Sequence, residues 1–160
     1  DIMREKGVLV VIVYSGGPAE ARKATGEFRP SRTHRADGVR RCLIEGTPGA
    51  EIDERIHIDR QRDILWHKHA PSAFFQNDLA ERLRAFGVEN VLVCGVKTNV
   101  CCRATVNDAF SHGFTTFAVS DMLATNTPEL NAFFIEDMAK YFATAVTSDE
   151  AFRLLEEGKL

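Results

Sequence analysis

Between residues 8 and 146 the chain alternates short apolar runs rich in Val and Ile with segments of helical period, and that alternation restricts the architecture it can adopt. Val8-Leu9-Val10-Val11-Ile12-Val13 is apolar without a break, as a strand buried on both faces should be. Further strands are predicted at 63–66, at 90–94 before Gly95, at 114–119 before Ser120-Asp121, and at 143–146. The helices between them have legible ends. Asn77 caps one whose inner face is Leu79, Leu83 and Phe86, and Gly87 stops it. A second runs from about Cys101 to His112 and stops at Gly113. Thr127-Pro128-Glu129 combines a hydroxyl cap, a proline at the first helical position and an acid at the positive end of the dipole. It opens a helix carrying Phe133, Phe134, Met138 and Tyr141, and the last helix begins at Ser148-Asp149-Glu150 and ends at Gly158. Strands joined through helices by short connections predict an α/β chain with a parallel sheet covered on both faces.

Composition removes several classes of function. A length of 160 residues favours a single domain. The net charge of −3 lacks the cationic excess of a nucleic-acid-binding protein. The longest clean apolar stretch, 8–14, falls far short of the ~20 residues that span a bilayer. Asp1–Lys6 has neither the apolar core nor the small-residue cleavage site of a signal peptide. Cys42, Cys94, Cys101 and Cys102 show no C-x-x-C spacing, which suits free thiols in a reducing, cytoplasmic setting. The long segment 15–61 holds most of the Gly, Pro and Arg, with a run of basic residues between Arg22 and Arg41. It reads either as an anion-attracting loop or as a solvated connection.

The chemistry-bearing residues are few. Gly16-Gly17 lacks dinucleotide-binding spacing, and no Gly-Lys-Ser/Thr triplet occurs. His34, His57, His67, His69 and His112 show no metal-ligand spacing, so no metal is expected; His67 and His69 share one face of a strand, with Lys68 on the other. The informative segment is Gly95-Val96-Lys97-Thr98-Asn99-Val100-Cys101-Cys102-Arg103-Ala104-Thr105, which joins the carboxyl end of a buried strand to a helix start. In open parallel sheets ligands bind at such ends, and a helix start there favours anions and thiolates. Cys101 is therefore placed to be a nucleophile, although a cysteine there also suits plain packing. Helical phase puts Val100, Ala104 and Thr105 on the inner stripe and Cys102 beneath the site. Lys68, at another strand end, reads either as a solvated charge or as an ammonium that keeps the thiolate ionised and shuttles a proton.

Three stretches together resemble the isochorismatase-like cysteine hydrolases. Lys68-His69-Ala70-Pro71-Ser72-Ala73-Phe74-Phe75-Gln76-Asn77-Asp78-Leu79 is similar to that family's Lys-x-x-x-Ser-x-Phe-x-x-Thr-x-Leu signature, Cys94–Ala109 to its nucleophile segment, and Gly46-Thr47-Pro48-Gly49-Ala50-Glu51-Ile52 to a third stretch, in the family's order. The resemblance implies a doubly wound, three-layer α/β/α domain over residues 1–160 with a mostly parallel sheet. It implies an Asp–Lys–Cys triad in which Cys101 is the nucleophile and Lys68 its partner, with a cis peptide at Val96-Lys97. The N–H groups of Lys97 and Cys101 would form the oxyanion hole, and no cofactor is needed. Phe74 and Asn99 are pocket candidates, with Lys97 or Arg103 for a substrate carboxylate; Phe74 equally suits core packing and Arg103 a solvated helix charge. The partner is a small-molecule substrate, with no nucleic acid and no membrane, and the resemblance implies a dimer or tetramer.

Within the family, nicotinamidases carry a metal-binding Asp and His cluster where this chain has Ser15-Gly16-Gly17-Pro18, and true isochorismatases do not need the cysteine. The interval from Lys68 to Cys101 is similar to that in N-carbamoylsarcosine, ureidoacrylate and biuret amidohydrolases, so the expected reaction is hydrolysis of a C–N bond in a small amide, ureide or carbamoyl compound, with release of ammonia. The triad aspartate belongs to a central strand upstream of Asp1–Lys6, which has the look of the helix after it; the expectation is that an N-terminal segment or a partner chain supplies it. Two alternatives follow. One is a non-catalytic member that keeps the fold to bind or interact; the other is a thiol redox protein using Cys101 and Cys102, against which the missing C-x-x-C argues.

Overall fold

The computed structural model describes residues 2–16, 46–68 and 70–160, which fall into two units, Asp1–His69 and Ala70–Leu160. The basic run at 22–41, Cys42 and His69 lie outside the described residues.

In the first unit the short helix α1 (Ile2–Glu5) leads into strand β1 (Val11–Ser15), which pairs in parallel with β2 (Ile64–Lys68), Val11 opposite Ile64 and Ser15 opposite Lys68. The strand starts three residues later than the apolar run predicts: the ladder begins only where the Val10 carbonyl accepts the Ile64 N–H at 2.9 Å. Val13 is exposed rather than buried on both faces. The unit is fastened by charge. Asp63, whose side chain is 1% exposed, accepts two hydrogen bonds from Arg4, at 2.7 and 2.6 Å, and one from the Asp59 N–H at 2.8 Å. Arg4 also donates to the His57 carbonyl at 2.9 Å. A buried carboxylate is tolerable only when its lone pairs are taken up in this way, and the Arg4 guanidinium holds the Asp63 carboxyl below the usual carboxylate range.

The second unit runs α2 (Leu79–Ala85), β3 (Asn90–Val96), a π-helical turn (Thr98–Cys102), α3 (Arg103–Ser111), β4 (Thr115–Ala124), α4 (Pro128–Tyr141), β5 (Thr144–Val146) and α5 (Ser148–Glu156). Its strands lie in the order β3-β4-β5, all parallel, as expected for strands joined through helices. Local signals set the helix ends. The Thr127 hydroxyl accepts the Leu130 N–H at 3.2 Å with Pro128 behind it. Thr147 and Glu150 form a reciprocal capping box. Asn77 accepts the Leu79 N–H at 3.1 Å, two residues before the helix proper.

The core joins Val93, Cys102, Val106, Ala118, Leu123 and Met138. Met138 is fully buried, which is worth about 1.5–3 kcal/mol in transfer from water. Other aromatic residues depart from their predicted faces. Phe86 is exposed because α2 ends at Ala85 and leaves Phe86 past the last turn. Phe133 and Tyr141 are exposed while Met138 alone of the four residues predicted on α4 is deeply buried. Strand β4 outruns its predicted end at 119 by five residues, and a register shift absorbs the polar pair Ser120-Asp121: Val93 faces Ala118, but Gly95 faces Leu123. Asp121 then accepts the N–H and hydroxyl of Ser148, at 2.8 and 2.6 Å, at the start of α5.

Candidate active site

Strand β3 delivers the chain to its carboxyl end through Gly95, whose φ of 116° is closed to most other residues. The Val96–Lys97 peptide bond that follows is cis, as the resemblance implied. Lys97 is extended, and its carbonyl accepts the N–H groups of Val100 and Cys102, both at 3.1 Å. The Arg103 N–H reaches back five residues to the Thr98 carbonyl, which closes a π rather than an α turn. Such turns are rare and concentrate at functional sites.

Helical phase read from the sequence puts Val100, Ala104 and Thr105 inward; the buried stripe is instead Thr98, Cys102, Val106 and Ala109, which keeps helical spacing on a different face. Cys102 does pack beneath the site, as expected, in the core with Val93 and Val106. Cys101 is partly exposed at the carboxyl end of the strand. The two adjacent thiols thus occupy different environments, one inside and one reachable.

Three consecutive side chains pin this turn to the segment after β4. Lys97 Nζ donates to Asn126 Oδ1 at 2.6 Å, the Thr98 hydroxyl to Asn131 Oδ1 at 2.6 Å, and the Thr125 hydroxyl to Asn99 Oδ1 at 2.6 Å. Asn131 donates in turn to the Leu123 carbonyl at 3.0 Å. Thr98, Thr125, Asn126 and Asn131 were not singled out from sequence. Their only signal there is a polar run, Thr125-Asn126-Thr127, between a strand and a helix.

The other predicted residues separate. Arg103 pairs with Asp137, Nη2 to Oδ2 at 2.8 Å, and its guanidinium lies 5.5 Å from the Phe134 ring centre. It therefore has a carboxylate of its own on α4. Lys97 is exposed and bonded to a neutral amide, so its charge is not cancelled there. Phe74, a pocket candidate, is a core residue: its buried ring lies 5.5 Å from that of His112 and 6.0 Å from that of Phe114, past the far end of α3. Its neighbour Ala73 is held by the Thr105 hydroxyl, and Ser72 accepts the Phe74 N–H, so the segment's hydrogen bonds fix it as structure.

In the first unit Lys68 is the last residue of β2 and is buried. The pleat places it on the face opposite His67, as expected. His67 Nε2 lies 2.9 Å from the Gly16 carbonyl and 3.1 Å from the Gly16 N–H, and its ring is 5.1 Å from that of Tyr14. Among the described residues no group of three or more His, Cys, Asp or Glu side chains is placed to hold a metal ion, and no helix is long and apolar enough to cross a membrane.

Comparison with known proteins places these features in context. The isochorismatase domain family matches residues 1–150. The chain is 36% identical over 114 residues to nicotinamidase 3 of Arabidopsis thaliana, covering 71% of this chain and 58% of that protein. It is 28% identical over 151 residues to ureidoacrylate amidohydrolase of Agrobacterium fabrum, covering 88% of this chain and 64% of that protein. The fold is that of a cysteine hydrolase from Pseudomonas syringae pv. phaseolicola, with a TM-score of 0.82 at 24% identity over 96% of this chain and 75% of that one. The chain spans about three-fifths of the length of the two curated relatives.

Proposed function

The chain belongs to the isochorismatase family of hydrolases, and from that premise we propose that it serves as a cysteine hydrolase cleaving the C–N bond of a small amide, ureide or carbamoyl substrate. One observation carries the reading: of two adjacent thiols, Cys101 is reachable at the carboxyl end of a parallel strand and on the first turn of a helix, while Cys102 is sealed in the core.

In this reading the Cys101 thiolate adds to the carbonyl carbon, and the π electrons of the carbonyl move onto oxygen. The N–H groups of Lys97 and Cys101 are the proposed donors to that oxyanion. Collapse of the tetrahedral adduct breaks the C–N bond, and the nitrogen takes a proton and leaves as ammonia or an amine. Water then adds to the thioester carbonyl, and collapse of that adduct breaks the C–S bond, releasing the carboxylic or carbamic acid and returning the thiol. Lys68 is the proposed ammonium partner of the thiolate. For a substrate carboxylate we assign Lys97 rather than Arg103, because Asp137 already neutralises Arg103; Asn99 remains a candidate for the pocket. The similarity to an amidohydrolase that acts on ureidoacrylate and to a nicotinamidase supports C–N hydrolysis as the reaction type.

The test is ammonia release from a panel of primary amides, N-carbamoyl amino acids, ureido acids and nicotinamide. Release by the wild type that falls ~10³-fold or more in Cys101→Ala, with the melting temperature unchanged, is the expected result. Release that survives the substitution removes the cysteine mechanism, and no release from any member of the panel favours a family member that binds without turning over.

A further inference from the structure

The turn that carries Cys101 is fixed from outside itself, and the fixing is concentrated on one residue. Thr98 opens the turn and is fully buried. Its hydroxyl donates at 2.6 Å to Asn131 Oδ1, 33 residues further along the chain on the first turn of α4. The orientation of the Asn131 amide is not free, because its Nδ2 donates to the Leu123 carbonyl in β4 at 3.0 Å. With the nitrogen end committed, the oxygen end must be the acceptor that Thr98 meets. Asn131 thus bridges three elements: the turn, the strand next to β3, and α4.

We propose, resting on the cysteine-hydrolase reading, that Asn131 acts through Thr98 as a positioning residue for the Cys101 nucleophile. The Lys97 carbonyl accepts the N–H groups of Val100 and Cys102, so the turn that carries Cys101 is closed on itself next to Thr98. Of the flanking bonds, Lys97 to Asn126 is exposed and meets competition from water, while Thr125 to Asn99 joins two half-buried side chains. The Thr98 bond is the one of the three with a fully buried partner, and it sets the seat of the turn. Reaction rates respond steeply to such a seat, since a shift of about 1 Å in a reacting group costs on the order of 10²-fold.

The experiment uses Thr98→Val, which keeps the shape and removes the hydroxyl, and Thr98→Ser, which keeps the hydroxyl and removes the methyl. Two readouts are taken on the whole chain. The first is the rate of Cys101 alkylation by iodoacetamide at one pH, followed by tandem mass spectrometry so that Cys94 and Cys102 are scored separately. The second is kcat and KM for whichever panel substrate the wild type cleaves. Thr98→Val is expected to lower kcat about 10- to 100-fold with KM within about 2-fold, to change the alkylation rate of Cys101 at least ~3-fold, and to leave that of Cys94 unchanged; Thr98→Ser is expected to restore both. Equal defects in the two variants would mean that Thr98 only fills space, and wild-type behaviour in Thr98→Val would mean that the bond positions nothing; either overturns the proposal. If Thr98→Val does not fold, Asn131→Ala is held to the same expectation and decides it. Alkylation needs no substrate, so a chain without turnover would sink the hydrolase reading and leave this arm able to judge the positioning separately.

Discussion

At the carboxyl ends of β3 and β4, Lys97, Thr98 and Asn99 each hydrogen-bond a residue of the segment 125–131. At the amino end of the same sheet ring packing dominates, beside two hydrogen bonds to backbone carbonyls, Arg84 to His112 and Thr116 to Phe142. Phe74 meets Phe114, Phe110 meets Phe142 edge-on at 5.9 Å, and Arg84 lies 5.3 Å from the Phe114 ring centre. A groove of about 580 Å³ opens at that end, lined by residues such as Phe110, Phe114, Tyr141 and Phe142, and none of its lining residues is a cysteine, histidine or acid. The difference follows from what each interaction can fix. Apolar burial is non-directional and scales with area, so it holds elements together while tolerating small shifts. A hydrogen bond loses strength steeply with distance and angle, so it fixes where a turn sits. The polar end is the one that carries Cys101.

That contrast predicts that mutations at the two ends separate stability from rate. The largest stability effect belongs to the shared core between them. Met138→Ala removes a fully buried side chain and is expected to cost about 2–5 kcal/mol, read by urea denaturation. Activity per folded molecule should stay near wild type, because Met138 touches the turn only through core packing. A large drop in kcat at full folding would show that the core, too, sets the seat of Cys101, and the contrast would fail.

A smaller effect comes from the aromatic end. Phe74→Leu is expected to lower stability by roughly 1–2 kcal/mol and to leave KM unchanged, since the ring packs on His112 and Phe114. The opposite pattern, a raised KM at unchanged stability, would return Phe74 to the substrate pocket that its motif implied.

Much of this was legible in the sequence because the signals are local. The Thr127-Pro128 and Ser148-Asp149-Glu150 starts lie at the helices they begin, and β3 announces itself as an apolar run, although it continues past its predicted end at Gly95 to Val96. The position of Cys101 at a strand end, with Cys102 beneath it, could be read for the same reason. What could not be read is long-range or irregular. The inner stripe lies on another face than predicted, because packing of Cys102 and Val106 on Val93, Ala118 and Met138 selects the face. The register shift opposite Val93 and Gly95 carried β4 through Ser120-Asp121, a pair that reads as a strand end. The Thr98–Asn131 bond joins residues that no periodicity connects. The Arg4–Asp63 pair was invisible likewise, since only the fold brings a charge on α1 to the start of β2.

The smallest effect tests whether the polar end continues beyond the turn. Asp121, in the irregular part of β4, accepts the hydroxyl and the N–H of Ser148, and the Ser148 hydroxyl above all holds its carboxyl below the usual range. It also faces the positive end of α5, where a negative charge is favoured. A carboxyl whose folded pKa lies below its unfolded value of about 3.9 adds stability above that value and loses it as pH falls toward the folded pKa. Asp121→Asn keeps an acceptor and deletes the charge. Because the side chain is exposed, the variant should melt no more than about 2 °C below wild type at pH 7. That gap should shrink as pH drops below about 4, where wild type loses what the variant never had. Asp63, held low by Arg4, acts equally in both proteins and cancels in the difference, whereas Glu150, which the Asp121 charge pushes up, is held lower still in the variant. A gap that stays constant down to pH 3 would mean that Asp121 serves Ser148 through shape alone, and that the charge contributes nothing to tying β4 to α5.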